Sequence, residues 1–157
     1  MNGMPHLTVL IVEDDRSIRN VHRFLLEIAG YNTVEAPDPP SAIDALRTHP
    51  TGMVALLDWE MPKAGCMRIL RALAHIPTHE VAARHRYIVV ALTPERLHSQ
   101  LLTLPASLSI TVIRKPVGMD KLLAAVGEAA RGLSARPPDV GSGDSPSPEA
   151  LLVTENY

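Results

Sequence analysis

Four short polar signals each follow directly after an apolar run of the sequence. They are Glu13-Asp14-Asp15 after 9–12, Asp58 after 54–57, Thr93 after 88–92 and Lys115-Pro116 after 110–113. Carboxylates that lie close together repel one another, and a hard divalent cation such as Mg²⁺ relieves that repulsion. An amine and a hydroxyl beside them can stabilise the charge of a phosphoryl group. The residue types therefore predict a Mg²⁺-dependent phosphoryl site, in which Asp58, alone at the end of its run, is the candidate nucleophile.

The sequence alternates between two patterns that must position these residues. Apolar runs at about 7–12, 54–57, 87–92 and 110–113, with a weaker run at 32–36, predict strands. Helical spacing is found at about 18–28, 41–47, 66–76, 95–102 and 119–133. This alternation predicts an α/β fold with a parallel sheet, right-handed crossovers and helices on both faces. Because ligands of such sheets bind beyond the carboxyl ends of the strands, the four signals are expected to converge.

The first helix is predicted from apolar residues that lie three and four positions apart. These residues are Ile18, Val21, Leu25 and Ile28. Gly30 is expected to end the helix. Two residues, Asp15 and Ser17, are candidate caps for its start.

The composition is typical of one globular domain with a tail. The 157 residues are 46% hydrophobic but only 3% aromatic, so the core is expected to consist of aliphatic side chains. A net charge of −2 and scattered basic residues argue against nucleic-acid binding. The single cysteine, Cys66, excludes an internal disulfide, fits a reducing compartment and is expected to be a packing residue.

The ends of the chain differ in character from the part between them. The first residues lack the cationic region of a signal peptide, and no apolar stretch reaches the roughly 18–20 residues of a membrane span. A cytoplasmic location without membrane association is therefore expected. From residue 134 onward Pro, Ser and Gly dominate, which predicts a domain at 1–133 and a flexible tail at 134–157.

At these motifs the chain resembles the receiver domain of two-component response regulators. The resemblance covers about 6–133 and rests on Val9-Leu10-Ile11-Val12-Glu13-Asp14-Asp15, Leu56-Leu57-Asp58-Trp59-Glu60-Met61-Pro62, Ala91-Leu92-Thr93 and Lys115-Pro116. It implies a flavodoxin-like (βα)5 doubly wound fold, whose five-stranded parallel sheet has the order 2-1-3-4-5. It also implies a signalling switch rather than an enzyme, with only self-catalysed phosphotransfer and autodephosphorylation. The implied donor is a phosphohistidine of a sensor histidine kinase or of a histidine phosphotransfer protein.

The resemblance also implies which residues accept the phosphoryl group and bind the metal. Asp58 is the implied phosphoacceptor. Asp14 and Asp58 are implied to bind Mg²⁺ directly, and Glu13 is implied to bind it through water. The backbone carbonyl of Glu60 is the implied third protein ligand.

Four further positions concern the transfer and the switch. Thr93 is the implied switch hydroxyl, and Lys115 is implied to pair with the phosphoryl group or with the acceptor. The peptide bond before Pro116 is expected to be cis. The switch aromatic of the family, three residues before the lysine, is replaced by Val112, so the aromatic relay is absent here.

Several functions fit these residues. The first is a stand-alone receiver without a DNA-binding domain, because the residues after 133 are too few to fold into one. Its output would pass through a downstream protein partner; the oligomeric state is left open, with a homodimer as one option. The alternative is a receiver-like protein-binding module that works without phosphorylation, or a fragment of a longer regulator.

Two further readings have weaker support. A phosphatase of the haloacid-dehalogenase type would need a second aspartate where Asp58-Trp59-Glu60 has a glutamate. A zinc site would have to use residues whose spacing matches no strong motif. These residues are His75, His79, His85 and Cys66.

Overall fold

The computed structural model of the chain describes residues 7–75, 85, 87–92 and 108–135. Within them, five strands form one sheet: β1 (Thr8–Val12), β2 (Asn32–Ala36), β3 (Met53–Asp58), β4 (Tyr87–Leu92) and β5 (Ser109–Arg114). All neighbouring strands are parallel, and the order is β2-β1-β3-β4-β5. The predicted flavodoxin-like sheet and its strand order are confirmed.

Four α-helices and one short 3₁₀ helix lie in the described ranges. They are α1 (Arg16–Ile28), α2 (Pro39–Thr48), α3 (Gly65–Ala74) and α4 (Met119–Ala135), with the 3₁₀ helix at Pro62–Ala64. The α-helices agree with four of the predicted helices to within two residues at each end. The helix predicted at 95–102 lies outside the described residues, as does the predicted tail from residue 136 onward. None of the helices in these ranges has both the length and the apolar character needed to cross a membrane.

The sheet is buried on both faces, which positions the strand ends rigidly. On one face, α2 and α3 cover a cluster that includes Leu10 and Leu57. On the other face, α1 and α4 cover a cluster that includes Ile11, Leu56 and Val126. Successive residues of a strand point to opposite faces, so strands covered on both sides need continuous apolar runs. Every residue of β1 and β3 is accordingly buried.

The start of α1 is fixed by a side-chain cap directly behind the end of β1. The carboxylate of Asp15 accepts hydrogen bonds from the backbone N–H groups of Ser17 at 2.8 Å and Ile18 at 3.0 Å. These bonds satisfy two of the donors that a helix leaves free at its first turn. Of the two candidate caps, Asp15 is therefore the one that the structure uses.

Three of the four repeating apolar residues of α1, Ile18, Val21 and Ile28, are largely exposed, whereas Leu25 is partly buried and packs against the core. Leu26 is fully buried on the inward side of this helix. The large apolar side chains on its outward side are 45–70% exposed, and we call them the α1 stripe. The α1 stripe consists of Ile18, Val21, Phe24 and Ile28. The sequence spacing thus predicts the helix but not the direction in which its apolar residues point.

Polar contacts accompany this rotation of α1. The guanidinium of Arg19 donates a hydrogen bond to the backbone carbonyl of Glu13 at 2.8 Å and pairs with Glu35 of β2 at 3.4 Å. Its side chain is only 14% exposed, so Arg19 occupies inward-facing space beside the edge of the sheet. The helix therefore turns a charged side chain toward β1 and β2 and leaves the α1 stripe outside.

Candidate functional site

Three carboxylates converge at the carboxyl ends of β1 and β3. Glu13 and Asp14 follow directly after β1, and Asp58 is the last residue of β3. The two strands pair with Val12 opposite Leu57, so the residues that follow lie side by side. One carboxylate oxygen from each of the three acids lies within 4.8 Å of the others. Among the described residues this is the only group of three or more potential metal-ligating side chains, and these three acids converge as the sequence predicts.

Glu13 is the most buried of the three acids. Its side chain accepts a hydrogen bond from the backbone N–H of Asp15 at 3.1 Å, and the residue is 4% exposed. Burial is the main reason that the pKa of Glu13 rises to about 7. The hydrogen bond from Asp15 opposes this rise, whereas the negative charges of Asp58 and Asp14 add to it. Burial and the neighbouring carboxylates thus both disfavour a negative charge on Glu13.

A divalent cation fits this set of ligands. The carboxylate oxygens are close enough to bind one ion after small side-chain adjustments. Asp14 is exposed, which leaves room for water on one side of the cluster. Mg²⁺ prefers a small number of carboxylates and keeps several waters, whereas Ca²⁺ binds six to eight oxygens. The donor set consequently suits Mg²⁺ better than Ca²⁺.

Lys115 supplies a positive charge next to Asp58. Lys115 directly follows β5. Its ammonium lies 2.6 Å from Oδ1 of Asp58 and 2.5 Å from Oε2 of Glu60. Partial burial alone would lower the pKa of Lys115, but the hydrogen bonds to these two carboxylates raise it overall. The peptide bond between Lys115 and Pro116 is cis. An amine that stays protonated beside a carboxylate can neutralise a phosphoryl group bound there.

Glu60 forms hydrogen bonds with both members of this ion pair, Asp58 and Lys115. Its backbone N–H donates a hydrogen bond to Oδ1 of Asp58 at 3.1 Å, while its side chain binds Lys115. The backbone N–H of Trp59 donates to the carbonyl of Ala91 at 2.9 Å, which ties this turn to β4. The family resemblance implies a role only for the backbone carbonyl of Glu60, whereas its side-chain contact with Lys115 is seen only in the structure.

Of the two switch positions, only Val112 lies within the described residues. Thr93 lies outside the described residues, one position after β4 ends at Leu92. Val112 lies in β5 opposite Val90 and packs, partly buried, against the core on the α2 and α3 face. An aliphatic side chain therefore fills the position of the switch aromatic.

The structure adds a residue that the sequence did not suggest. A cavity of about 260 Å³ lies beside the acids, between α1 and the segment that follows β5. His22 of α1 and Ile18 line it together with Glu13, Asp58 and Lys115. Burial lowers the pKa of His22, so the neutral imidazole is favoured there. Only the rotation of α1 brings His22 to the site, and helical spacing does not fix that rotation.

The residues considered for a zinc site do not form one in the described part of the chain. Cys66 is a buried free cysteine that packs in the core, and burial raises the pKa of its thiol. His85 is also buried, and its Nδ1 accepts a hydrogen bond from the backbone N–H of Met53 at the opposite end of β3. His79 lies outside the described residues. Cys66 is thus a packing residue, as predicted.

The fold and this site define the chain as a receiver domain. A sequence model of the response regulator receiver domain family matches residues 9–127, and the chain belongs to this family. Receiver domains are signalling switches of two-component systems that interact with histidine kinases or phosphotransfer proteins, and they are not conventional enzymes. Membership in this family leaves the phosphatase reading without support.

Individual relatives show how far the similarity extends. The phosphate regulon transcriptional regulatory protein PhoB of Klebsiella pneumoniae is 37% identical over 65 residues, which are 41% of this chain and 28% of that protein. The match thus spans little more than a quarter of this curated relative. CheY-like receiver domains of Methanospirillum hungatei JF-1 and of Clostridium thermocellum share the fold, with TM-scores of 0.68 and 0.67 and identities of 22% and 23%. Each comparison covers 82% of this chain, and 98% and 97% of the respective receiver domain.

Proposed function

We propose that this receiver domain is a phosphorylation-dependent signalling switch whose phosphoacceptor is Asp58. The observation that carries the proposal is the setting of this carboxylate. It lies 2.6 Å from the ammonium of Lys115 and belongs to the acidic cluster, with a side chain only 8% exposed. A carboxylate fixed at the end of a buried strand, between a cation and a metal-binding cluster, is suited to nucleophilic attack on phosphorus.

The acidic cluster is proposed as the Mg²⁺ site. Asp14 and Asp58 would bind the ion directly, Glu13 through a water molecule, and Glu60 through its backbone carbonyl. The bound ion supplies positive charge that offsets the charge on the phosphoryl oxygens. The raised pKa of Glu13 supports this assignment, because a buried carboxyl near other acids gains most from a cation.

The proposed transfer step starts from the ion pair of Asp58 and Lys115. An oxygen of Asp58 forms the new P–O bond while the P–N bond of the donor phosphohistidine breaks, and the leaving imidazole takes up a proton. Lys115 remains protonated, exchanges its hydrogen bond with Asp58 for one with a phosphoryl oxygen, and stays tied to Glu60. Thr93 is proposed as the hydroxyl that donates to the phosphoryl group and senses it.

The donor and the output follow from the same proposal. A sensor histidine kinase or a histidine phosphotransfer protein would supply the phosphoryl group in the cytoplasm, and a downstream protein would read the state. The partly buried Val112 supports an output that does not depend on an aromatic switch. Because the PhoB match covers 28% of that protein, a stand-alone receiver and a fragment of a longer regulator both fit.

Phosphorylation by a small donor tests the proposal. The protein is incubated with phosphoramidate or acetyl phosphate and Mg²⁺, and its intact mass is measured. We expect one phosphoryl adduct, which is absent when a chelator removes Mg²⁺ and absent in Asp58→Asn. Asp44→Asn is the matched control, because Asp44 is an exposed aspartate of α2 far from the site in sequence, and it should keep the adduct.

Two results would contradict this assignment. An adduct that persists in Asp58→Asn would place the phosphoacceptor elsewhere. A folded wild-type protein that forms no adduct with either small donor or with a phosphohistidine protein would favour the alternative, a receiver-like binding module that works without phosphorylation.

A further inference from the structure

His22 is a half-buried imidazole that the proposed phosphorylation of Asp58 does not use. It belongs to α1 and lines the cavity of about 260 Å³ beside the acceptor, together with Asp58 and Lys115. It makes no hydrogen bond or ion pair with any of the described residues. A polar ring that is taken partly out of water usually has a hydrogen-bonding partner. The partner of this ring is therefore expected in the cavity itself.

The charges that act on His22 are those of the two groups that would hold the phosphoryl group. Burial lowers the pKa of His22 most, while the carboxylate of Asp58 raises it and the ammonium of Lys115 lowers it further. Electrostatic effects decline with distance, so the imidazole lies near both groups. A phosphoryl group that is bonded to Asp58 and bound by Lys115 would border the same cavity as the ring of His22.

Packing alone does not account for an imidazole at this position. The other residue of α1 that lines the cavity is Ile18, and apolar side chains of β1, β3 and β4 line much of the rest. An imidazole in such surroundings loses hydration, which is the main cause of its lowered pKa. A leucine would fill the same place without burying a polar group. The ring is therefore better explained by a polar contact inside the cavity.

The cavity has room for the molecule that hydrolyses an acyl phosphate. A water molecule occupies about 30 Å³ in the liquid, so a cavity of about 260 Å³ can hold several. A water that stays in a protein cavity needs two to four polar partners. The polar residues that line this cavity are Glu13, His22, Asp58 and Lys115. A neutral imidazole offers one nitrogen as an acceptor, so it can fix the direction of a water O–H bond.

We propose that His22 positions the water molecule that removes the phosphoryl group from Asp58, and that it thereby determines how long the phosphorylated state lasts. The proposal rests on the proposed function, because it requires a phosphorylated Asp58, and it adds a residue of α1 to that function. His22 is a positioning residue in this step. Its ring nitrogen accepts a hydrogen bond from the water and directs the water oxygen toward phosphorus.

The hydrolysis step needs no reactant other than water. The water oxygen forms a bond to phosphorus while the bond between phosphorus and the Asp58 oxygen breaks. The electron pair of the broken bond returns to the carboxylate, and both protons of the water go to the phosphate product. His22 gains no proton overall. Phosphoryl transfer passes through a loose transition state in most analyses, so the orientation of the attacking water contributes more than the removal of its proton.

The lifetime of the phosphorylated protein tests this role. The full chain is phosphorylated with acetyl phosphate and Mg²⁺, the donor is removed by rapid desalting, and the loss of the adduct is followed by intact mass. We expect His22→Leu to lose the phosphoryl group at least about fivefold more slowly than the wild type, because the water loses the acceptor that orients it. His22→Gln still offers an acceptor, so its rate of loss should stay within about twofold of the wild type.

The rate at which the adduct forms separates positioning of water from a structural defect. Transfer from acetyl phosphate involves no attacking water, so both variants should form the adduct within about twofold of the wild-type rate. His49→Leu is the matched control, because it removes another half-buried histidine at the other end of β3, whose ring lies 6.4 Å from that of His85. The control should leave the lifetime of the adduct unchanged.

Three results would overturn the role of His22. The first is an equal lifetime in the wild type and in His22→Leu. The second is an equal slowing in His22→Leu and His22→Gln, because glutamine keeps an acceptor. The third is a parallel fall in the rates of formation and loss, which would point to a distorted site. A wild-type protein that forms no adduct would contradict the proposed function itself, and this inference with it.

Discussion

The burial of His85 predicts that the free energy of unfolding decreases at mildly acidic pH. His85 is 1% exposed, and its Nδ1 accepts a hydrogen bond from the backbone N–H of Met53 at 2.8 Å. Its Nε2 is buried and makes no hydrogen bond among the described residues. The nearby backbone of Leu46 raises the pKa of His85, but this effect is smaller than that of burial. Burial dominates and lowers the pKa of His85 to about 4. The folded protein therefore resists protonation of this ring.

The sign and the size of the effect follow from that pKa. In the unfolded chain a histidine has a pKa of about 6.5, so between the two values the unfolded state binds more protons. The contribution of His85 is complete above about pH 7 and is lost as the pH falls toward 4. The full difference corresponds to about 3 kcal/mol, of which about 2 kcal/mol is lost by pH 5. This is a large part of the roughly 5–15 kcal/mol by which domains are stable.

The experiment compares the wild type with His85→Gln by urea unfolding at pH 7.5 and pH 5, in the presence of a chelator. Glutamine offers an acceptor for the N–H of Met53 but does not titrate. A difference between two proteins is needed because Glu13, with its pKa raised to about 7, acts with the opposite sign and stabilises the metal-free fold as the pH falls. Both proteins contain Glu13, so its contribution cancels. We expect the stability advantage of the wild type to shrink by about 2 kcal/mol between the two pH values.

Equal responses of the two proteins to pH would refute the reasoning. The NMR signal of the His85 ring provides an independent check, because it should keep the shift of a neutral imidazole down to pH 5. If the ring titrates near pH 6.5 in the folded protein, water or a hydrogen-bond acceptor must stabilise its protonated form, and the reasoning is wrong.

Three further predictions concern the site and the packing of α4. Lys115→Ala should slow phosphorylation by phosphoramidate by at least about tenfold, because it removes the cation that offsets phosphoryl charge; an unchanged rate would deny it that role. Mg²⁺ should bind more tightly at pH 8 than at pH 6, as measured by calorimetry, because Glu13 must lose its proton, and Glu13→Gln should flatten this dependence. Gly132→Ala should lower the free energy of unfolding by about 1–3 kcal/mol, because the added Cβ would lie 2.4 Å from the ring of Tyr87. Gly127→Ala is its control in the same helix, with nothing closer than 3.7 Å, and should be neutral or stabilising by up to about 1 kcal/mol.

Much of the fold and of the acidic cluster could be predicted because both depend on strand ends. A parallel sheet places all carboxyl ends at one edge, so Asp58 and the acids after β1 had to meet once the strands were recognised. Lys115 reaches the same edge for the same reason, although 57 residues separate it from Asp58. Sheet topology thus converts a one-dimensional pattern into a three-dimensional site without any knowledge of side-chain packing.

Features that depend on helix rotation and on side-chain direction could not be predicted in this way. Helical spacing identified α1, but it did not indicate that Ile18, Val21 and Ile28 would be exposed while Arg19 takes an inward position. The same rotation brings His22 to the cavity. The side-chain contact of Glu60 with Lys115 likewise depends on the course of the turn after β3, which no local pattern determines.

The rotation of α1 divides its apolar side chains into a buried set that stabilises the fold and an exposed set that does not. Leu26 on the inward side is fully buried and belongs to the core between the sheet and α4. Phe24 and Val21 are 61% and 56% exposed, so they contribute little to that core. A helix that only had to fold would place charged or small residues at such positions, because exposed apolar area favours association. The outward stripe is therefore suited to an interaction, and its first residue, Ile18, lines the same cavity as Asp58.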